Sequence, residues 1–149
     1  MDTNITKTWT IVINEDEVFS RCVNESLYQN NRMGGNANVD VIVMQDDDRG
    51  QFGVYLSAAV ANLRMLLARY MEEPEMQTNL GLTFKLQMHD NHDNNILPIL
   101  INHCYEYVVR KVLEQWYHAD FGSELERLEI NHCLHYRKKP IRRRLDPMF

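Results

Sequence analysis

The nine residues "LGLTFKLQM", Leu80 to Met88, decide the fold class of this chain. Leu80, Leu82, Phe84, Leu86 and Met88 alternate with Gly81, Thr83, Lys85 and Gln87. A period of two is that of a strand with one face in the core and one in water. The surrounding segments have a different period. Downstream, "HDNHDNN" reads as a turn, and the spacing then predicts a long helix over 96–119, with Pro98 tolerated in its first turn. Leu97, Ile101, Tyr105, Val108, Val109, Val112, Leu113 and Trp116 line its buried side. The chain breaks near Gly122. Ser123 and Glu126 form a capping box for a last helix carrying Leu125, Leu128, Ile130, Cys133 and Leu134, which ends before Pro140.

Upstream, Pro74 in "EEPE" closes a helix over 51–73, whose apolar positions Phe52, Leu56, Ala59, Val60, Leu63, Leu66, Leu67, Tyr70 and Met71 recur at helical spacing. Asp46, Asp47 and Asp48 precede it, where negative charge suits the helix dipole. "VDVIVM" is a second candidate strand, and "MGGNAN" before it ends a first helix over 15–32 at Gly34 or Gly35. That helix starts at the Asn14–Glu17 capping box and carries Val18, Phe19, Cys22, Val23 and Leu27 on one stripe. At the front, "TWTIVIN" alternates Trp9, Ile11 and Ile13 against Thr8, Thr10 and Val12, a third strand. The resulting expectation is an α+β fold, predominantly α. About four helices pack with two or three short β-strands, and an extended basic C-terminal arm follows. Residues 1–136 form a single helix-rich domain and 137–149 the arm.

Charge is divided between the two parts. Arg137, Lys138, Lys139, Arg142, Arg143 and Arg144 against Asp146 give the arm +5, which leaves −10 on the body of a chain whose formal net charge is −5. Such an arm is drawn to nucleic acid or to an acidic protein surface. It lacks interleaved aromatic residues for base stacking, and Ile141, Leu145, Met148 and Phe149 supply apolar anchors that a purely electrostatic tail does not require. Protein docking is therefore the favoured reading of Arg137, Lys138, Lys139, Ile141, Arg142, Arg143, Arg144, Leu145, Met148 and Phe149, with nucleic acid second.

The residues carry no catalytic or cofactor signature. Cys22, Cys104 and Cys133 are an odd set at wide spacing and read as buried reduced thiols. His103 and Cys104 are adjacent, so on a helix they point about 100° apart and cannot form a nucleophilic pair. His89, Asp90, His92 and Asp93 crowd one turn, while His132, Cys133 and His135 crowd one helix. Neither group has zinc-like spacing or an H-E-x-x-H pattern, so both are taken as surface histidines and solvated loop. The expectation is a chain that is not an enzyme and holds no metal or cofactor. No apolar run approaches the roughly 20 residues of a membrane span, and no export signal opens the chain.

The order of parts resembles small virion structural proteins encoded by tailed bacteriophages and prophages of gut anaerobes. A helix ending at "RMGG", the helix "LSAAVANLRMLLARYM", the strand "LTFKLQM", the helix "EYVVRKVLEQWY" and the terminal "RKKPIRRR" carry the likeness. Its best markers are Glu106, Tyr107, Val108, Trp116 and Tyr117, with Lys139, Pro140, Arg142 and Arg143. The resemblance implies a head–tail connector or neck adaptor that forms a homo-oligomeric ring and meets portal or tail proteins. It would be made in the bacterial host cytoplasm and reside in the virion. A tail-completion or head-closure factor is the alternative within that class, and a nucleic-acid-binding accessory protein the alternative outside it.

Overall fold

The computed structural model describes residues 6–32, 43–71 and 82–137. Its architecture is α+β and predominantly helical, with four α-helices and one two-stranded antiparallel sheet among those residues. Strand β1, Thr6–Val12, pairs with β2, Thr83–His89, in a register that sets Trp9 opposite Leu86 and Ile11 opposite Phe84. The alternation in sequence becomes alternation in burial. Trp9, Ile11, Phe84, Leu86 and Met88 face the core, while Thr8, Thr10 and Lys85 face out. Two strands alone are marginal in water, so the sheet depends on the helices behind its apolar face. Met71 adds a single bridge to Leu86 and carries the end of the preceding helix onto the sheet.

Helix α1, Glu15–Arg32, begins as the sequence indicates, with Asn14 Oδ1 accepting from the Glu17 amide at 2.9 Å. The other half of the expected capping box is replaced. Glu17 turns to Arg21 at 2.8 Å, and the Asn14 amide donates to the Tyr105 hydroxyl at 2.7 Å. Helix α2, Arg49–Leu67, follows a 3-10 turn over Asp46–Asp48, and a second such turn, Ala68–Tyr70, tightens its end well before Pro74. Helix α3, Leu97–Tyr117, ends at His118 in the left-handed conformation, φ 53°. Helix α4, Ser123–His135, begins after Gly122 at φ 86°, a conformation that favours glycine.

Helix α3 is the hub, packing against α4, α2 and α1 and touching β1. One continuous core runs from Trp9 through Phe52 and Leu63 to Val112 and Ile130. Several expectations are corrected here. Leu27, Leu125 and Leu128, placed on buried stripes, are 43%, 63% and 50% exposed, because each stripe is wider than the surface its neighbours cover. Leu66, Tyr70, Leu97, Ile101, Tyr105 and Trp116 pack only partly, at the margin of the core. Of "VDVIVM", residues 39–42 lie outside the described residues. Val43 and Met44 are not in a strand; Met44 is buried, its amide donating to Ser26 Oγ at 3.1 Å. Leu80, Gly34, Gly35 and the arm residues from Lys138 onward also lie outside the described residues, and Arg137 is exposed.

Candidate functional site

The polar groups of the helical layer form one chain of ion pairs. Glu17 of α1 pairs with Arg21 at 2.8 Å, Arg21 reaches Glu106 of α3 at 3.1 Å, and Glu106 pairs with Arg110 at 3.5 Å. Arg110 continues to Glu126 of α4 at 3.5 Å, and Glu126 accepts from or pairs with His103 Nδ1 at 2.7 Å. Three helices are thereby fastened by alternating charges. Arg21 also lies over the Tyr105 ring, 4.7 Å from its centroid. On either side of Arg21 are open clefts of about 420 and 430 Å³, the first lined by Asn14, Asp16, Ser20 and Tyr105, the second by Asn24, Glu25, Tyr28 and Val109. Within these clefts Glu17, Arg21 and Glu106 are matched to one another, and Asp16 pairs with Arg49 at 2.9 Å, so the clefts offer a largely salt-bridged surface.

Glu126 is buried, 8% exposed, between His103 and Arg110, and is not the capping residue that its spacing from Ser123 suggests. The cap comes from Glu114, near the C-terminal end of α3. Its carboxylate accepts from the amides of Phe121 at 3.1 Å and Ser123 at 3.0 Å, and from Ser123 Oγ at 2.9 Å. A negative group at the start of α4 also suits that helix's dipole.

The histidines separate. His89 is exposed and its Nδ1 accepts from the Asn91 amide, whereas His92 is 2% exposed, contrary to its reading as a solvated loop residue. The His92 ring meets Trp9 edge-on at 5.8 Å. Its Nδ1 lies 3.1 Å from the His89 carbonyl and its Nε2 3.1 Å from the Leu134 carbonyl. The ring thus ties the C-terminal turn of α4 to the turn after β2. A neutral imidazole donates to one of these carbonyls and only the doubly protonated ring to both. His132 and His135 are exposed while Cys133 between them is buried, so that trio also divides. Among the described residues no group of three or more His, Cys, Asp or Glu is placed to hold a metal ion.

All three thiols are free and buried. Burial, assisted by Glu25, pushes the Cys22 thiol up to about 12. Burial also raises Cys104, with a contribution from Cys133, and raises Cys133, with one from Glu129. Thiols held in their protonated form are poor nucleophiles. His103 turns to Glu126 and Cys104 into the core, as adjacent helical positions require.

One surface has an excess of apolar character that packing within the chain does not use. From Gln51 to Leu63, α2 contains no Asp, Glu, Lys, Arg or His. Its inner face buries Phe52, Leu56, Ala59, Val60, Leu63 and Leu67. Its outer face presents Val54, 61% exposed, Ala58, Ala61 and Met65, 76% exposed, at spacings of four, three and four. The helical periodicity of α2 marks only the inner stripe; the signal of the outer one is the absence of charge from Gln51 to Leu63.

No protein-family model, curated protein or solved structure matches the chain. No helix among the described residues is long and apolar enough to cross a membrane.

Proposed function

We propose that this chain is a structural, non-catalytic assembly protein of a tailed-phage particle, a head–tail connector or neck adaptor that joins copies through its helical body and C-terminal arm. The observation that carries the assembly reading is the outer face of α2, where Val54 and Met65 stand in solvent and the exposed residues between them, Ser57, Ala58, Ala61 and Asn62, carry no charge. An apolar stripe left exposed along one helix face is a candidate contact surface for another macromolecule. The placement in a virion rests on the resemblance of the sequence. The split between an acidic body and a basic, apolar-tipped arm supports docking between subunits or onto a portal or tail protein.

The test has two parts. Removing residues 137–149 leaves the body folded by circular dichroism and abolishes assembly with the particle; a truncated chain that enters particles normally overturns the arm's role. Mass spectrometry of purified particles from a producing host should find the full chain at a fixed copy number, and its absence there overturns the virion assignment. A nucleic-acid-binding accessory protein would instead show DNA affinity falling steeply with salt.

A further inference from the structure

We propose that the outer face of α2 binds the same face of a second copy of this chain, antiparallel, about a two-fold axis passing between residues 59 and 60. The inference names the occupant of the surface on which the assembly reading rests. Turning α2 end for end about that axis sets Val54 against Met65 of the other copy, and Ala58 against Ala61. Ser57, exposed, falls opposite the exposed Asn62. Large residues at the ends and small ones at the crossing make a stripe that fits its own reverse, the requirement for an isologous interface. Alanines at the crossing let the two backbones approach to the short end of the usual 8–10 Å interaxial range.

Charge fixes the direction and the partner. The turn ahead of α2 carries exposed Asp46 and Asp47, and the turn behind it carries exposed Arg69. Antiparallel pairing places Arg69 of one copy over Gly50 of the other, where a Cβ would meet no atom within 4 Å. From there a guanidinium can reach the acidic turn. The contact occurs twice by symmetry, and the two helix dipoles oppose favourably. A parallel pairing would stack Asp46 and Asp47 on their own copies and Arg69 on its own. A two-fold contact here and a head-to-tail contact through the arm use different surfaces, so both can coexist in a ring stacked on its mirror-order partner, as in dihedral assemblies.

One helix pair is a small interface beside the standard size of about 1,600 Å², so the isolated dimer should be weak, roughly micromolar. Sedimentation equilibrium of the full chain tests this. The expected mass climbs from one to two multiples of 17.7 kDa with concentration. Ala61→Glu, at an exposed helical position, leaves the far-ultraviolet spectrum unchanged and weakens association at least tenfold. Arg69→Glu weakens it, and adding Asp46→Arg and Asp47→Arg restores it. Mixing Ala58→Cys and Ala61→Cys chains gives a disulfide-linked dimer under oxidation, whereas either alone does not, and the three native thiols are buried and do not compete. A chain that stays monomeric at every concentration, or a dimer indifferent to Ala61→Glu, overturns the proposal. Larger oligomers that ignore Ala61→Glu but vanish without residues 137–149 overturn it while leaving the ring reading intact. A dimer behaving as described in a chain missing from particles overturns the virion reading alone.

Discussion

The two faces of α2 are built from nearly the same palette and have opposite fates. Inside, Phe52, Leu63 and Leu67 are fully buried, Phe52 meeting Phe19 edge-on at 5.0 Å. Outside, Val54 and Met65 are among the most exposed apolar side chains described. Hydrophobicity alone therefore does not say where a residue goes. In a domain this small one helix has more apolar surface than its neighbours can cover. The largest effect that tests this contrast is Phe52→Ala, which removes a ring from a filled core and should cost about 3–5 kcal/mol. The urea midpoint reads it directly; a loss under about 1 kcal/mol would mean that the inner face is loosely packed.

The inside–outside contrast extends to acid–base behaviour. Folding lifts Cys22 from an ordinary 9.0 to about 12 by burial, and raises Cys104 and Cys133 in the same direction. Below pH 9 both folded and unfolded chains hold these protons and the contribution is fully present. Above pH 9 the unfolded chain releases protons that the folded chain keeps, so stability falls until the folded thiols also titrate. Denaturant melts between pH 8 and 11 should show a decline of up to about 1.4 kcal/mol per pH unit for each thiol. Cys22→Ala should flatten part of that slope, after allowance for the small cavity it leaves.

How much of this could be read from sequence follows from which interactions are local. The strand at Thr83–His89 was legible because its alternation is a local pattern and the fold uses it unchanged. The start of α1 was legible in part: Asn14 caps as its spacing implies, but Glu17 is drawn away by Arg21, four residues on. At α4 the local motif misled. Ser123 and Glu126 have capping-box spacing, yet the left-handed His118 folds the chain so that Glu114 reaches the helix start first, leaving Glu126 for His103 and Arg110. His92 was illegible for the same reason, since its partners Trp9 and Leu134 are far away in sequence. The outer face of α2 was legible only as a run without charge from Gln51 to Leu63; which of its residues stay exposed depends on what the neighbouring elements cover.

The Glu114 cap gives an intermediate effect. Glu114→Ala leaves the amides of Phe121 and Ser123 and the Ser123 hydroxyl without their acceptor and should cost about 1–3 kcal/mol. Glu114→Gln keeps one acceptor oxygen and loses the charge, so it should cost less. Hydrogen exchange locates the damage: the first turn of α4 should lose protection before the sheet does. Equal loss in both regions would mean that the cap supports the whole core rather than one helix end.

The smallest effect on stability is the one that most sharpens the contrast between the faces. Met65→Ala removes a side chain that is 76% exposed, from a helix position where alanine is an equally good helix former. Little apolar surface leaves solvent when the single chain folds around it, so the cost to the monomer should fall within about 0.5 kcal/mol. Phe52 lies on the same helix and is fully buried. If burial within the chain is what separates the two, the ratio of their effects on the monomer should be about sixfold or greater. The ordering should reverse in the assembled state: Met65→Ala then removes an anchor from the contact, and association weakens although the monomer melts as before. Measuring both variants at a protein concentration below association, and again well above it, separates the two contributions. A Met65→Ala chain destabilised at the lower concentration would mean that this face is already covered within the single chain.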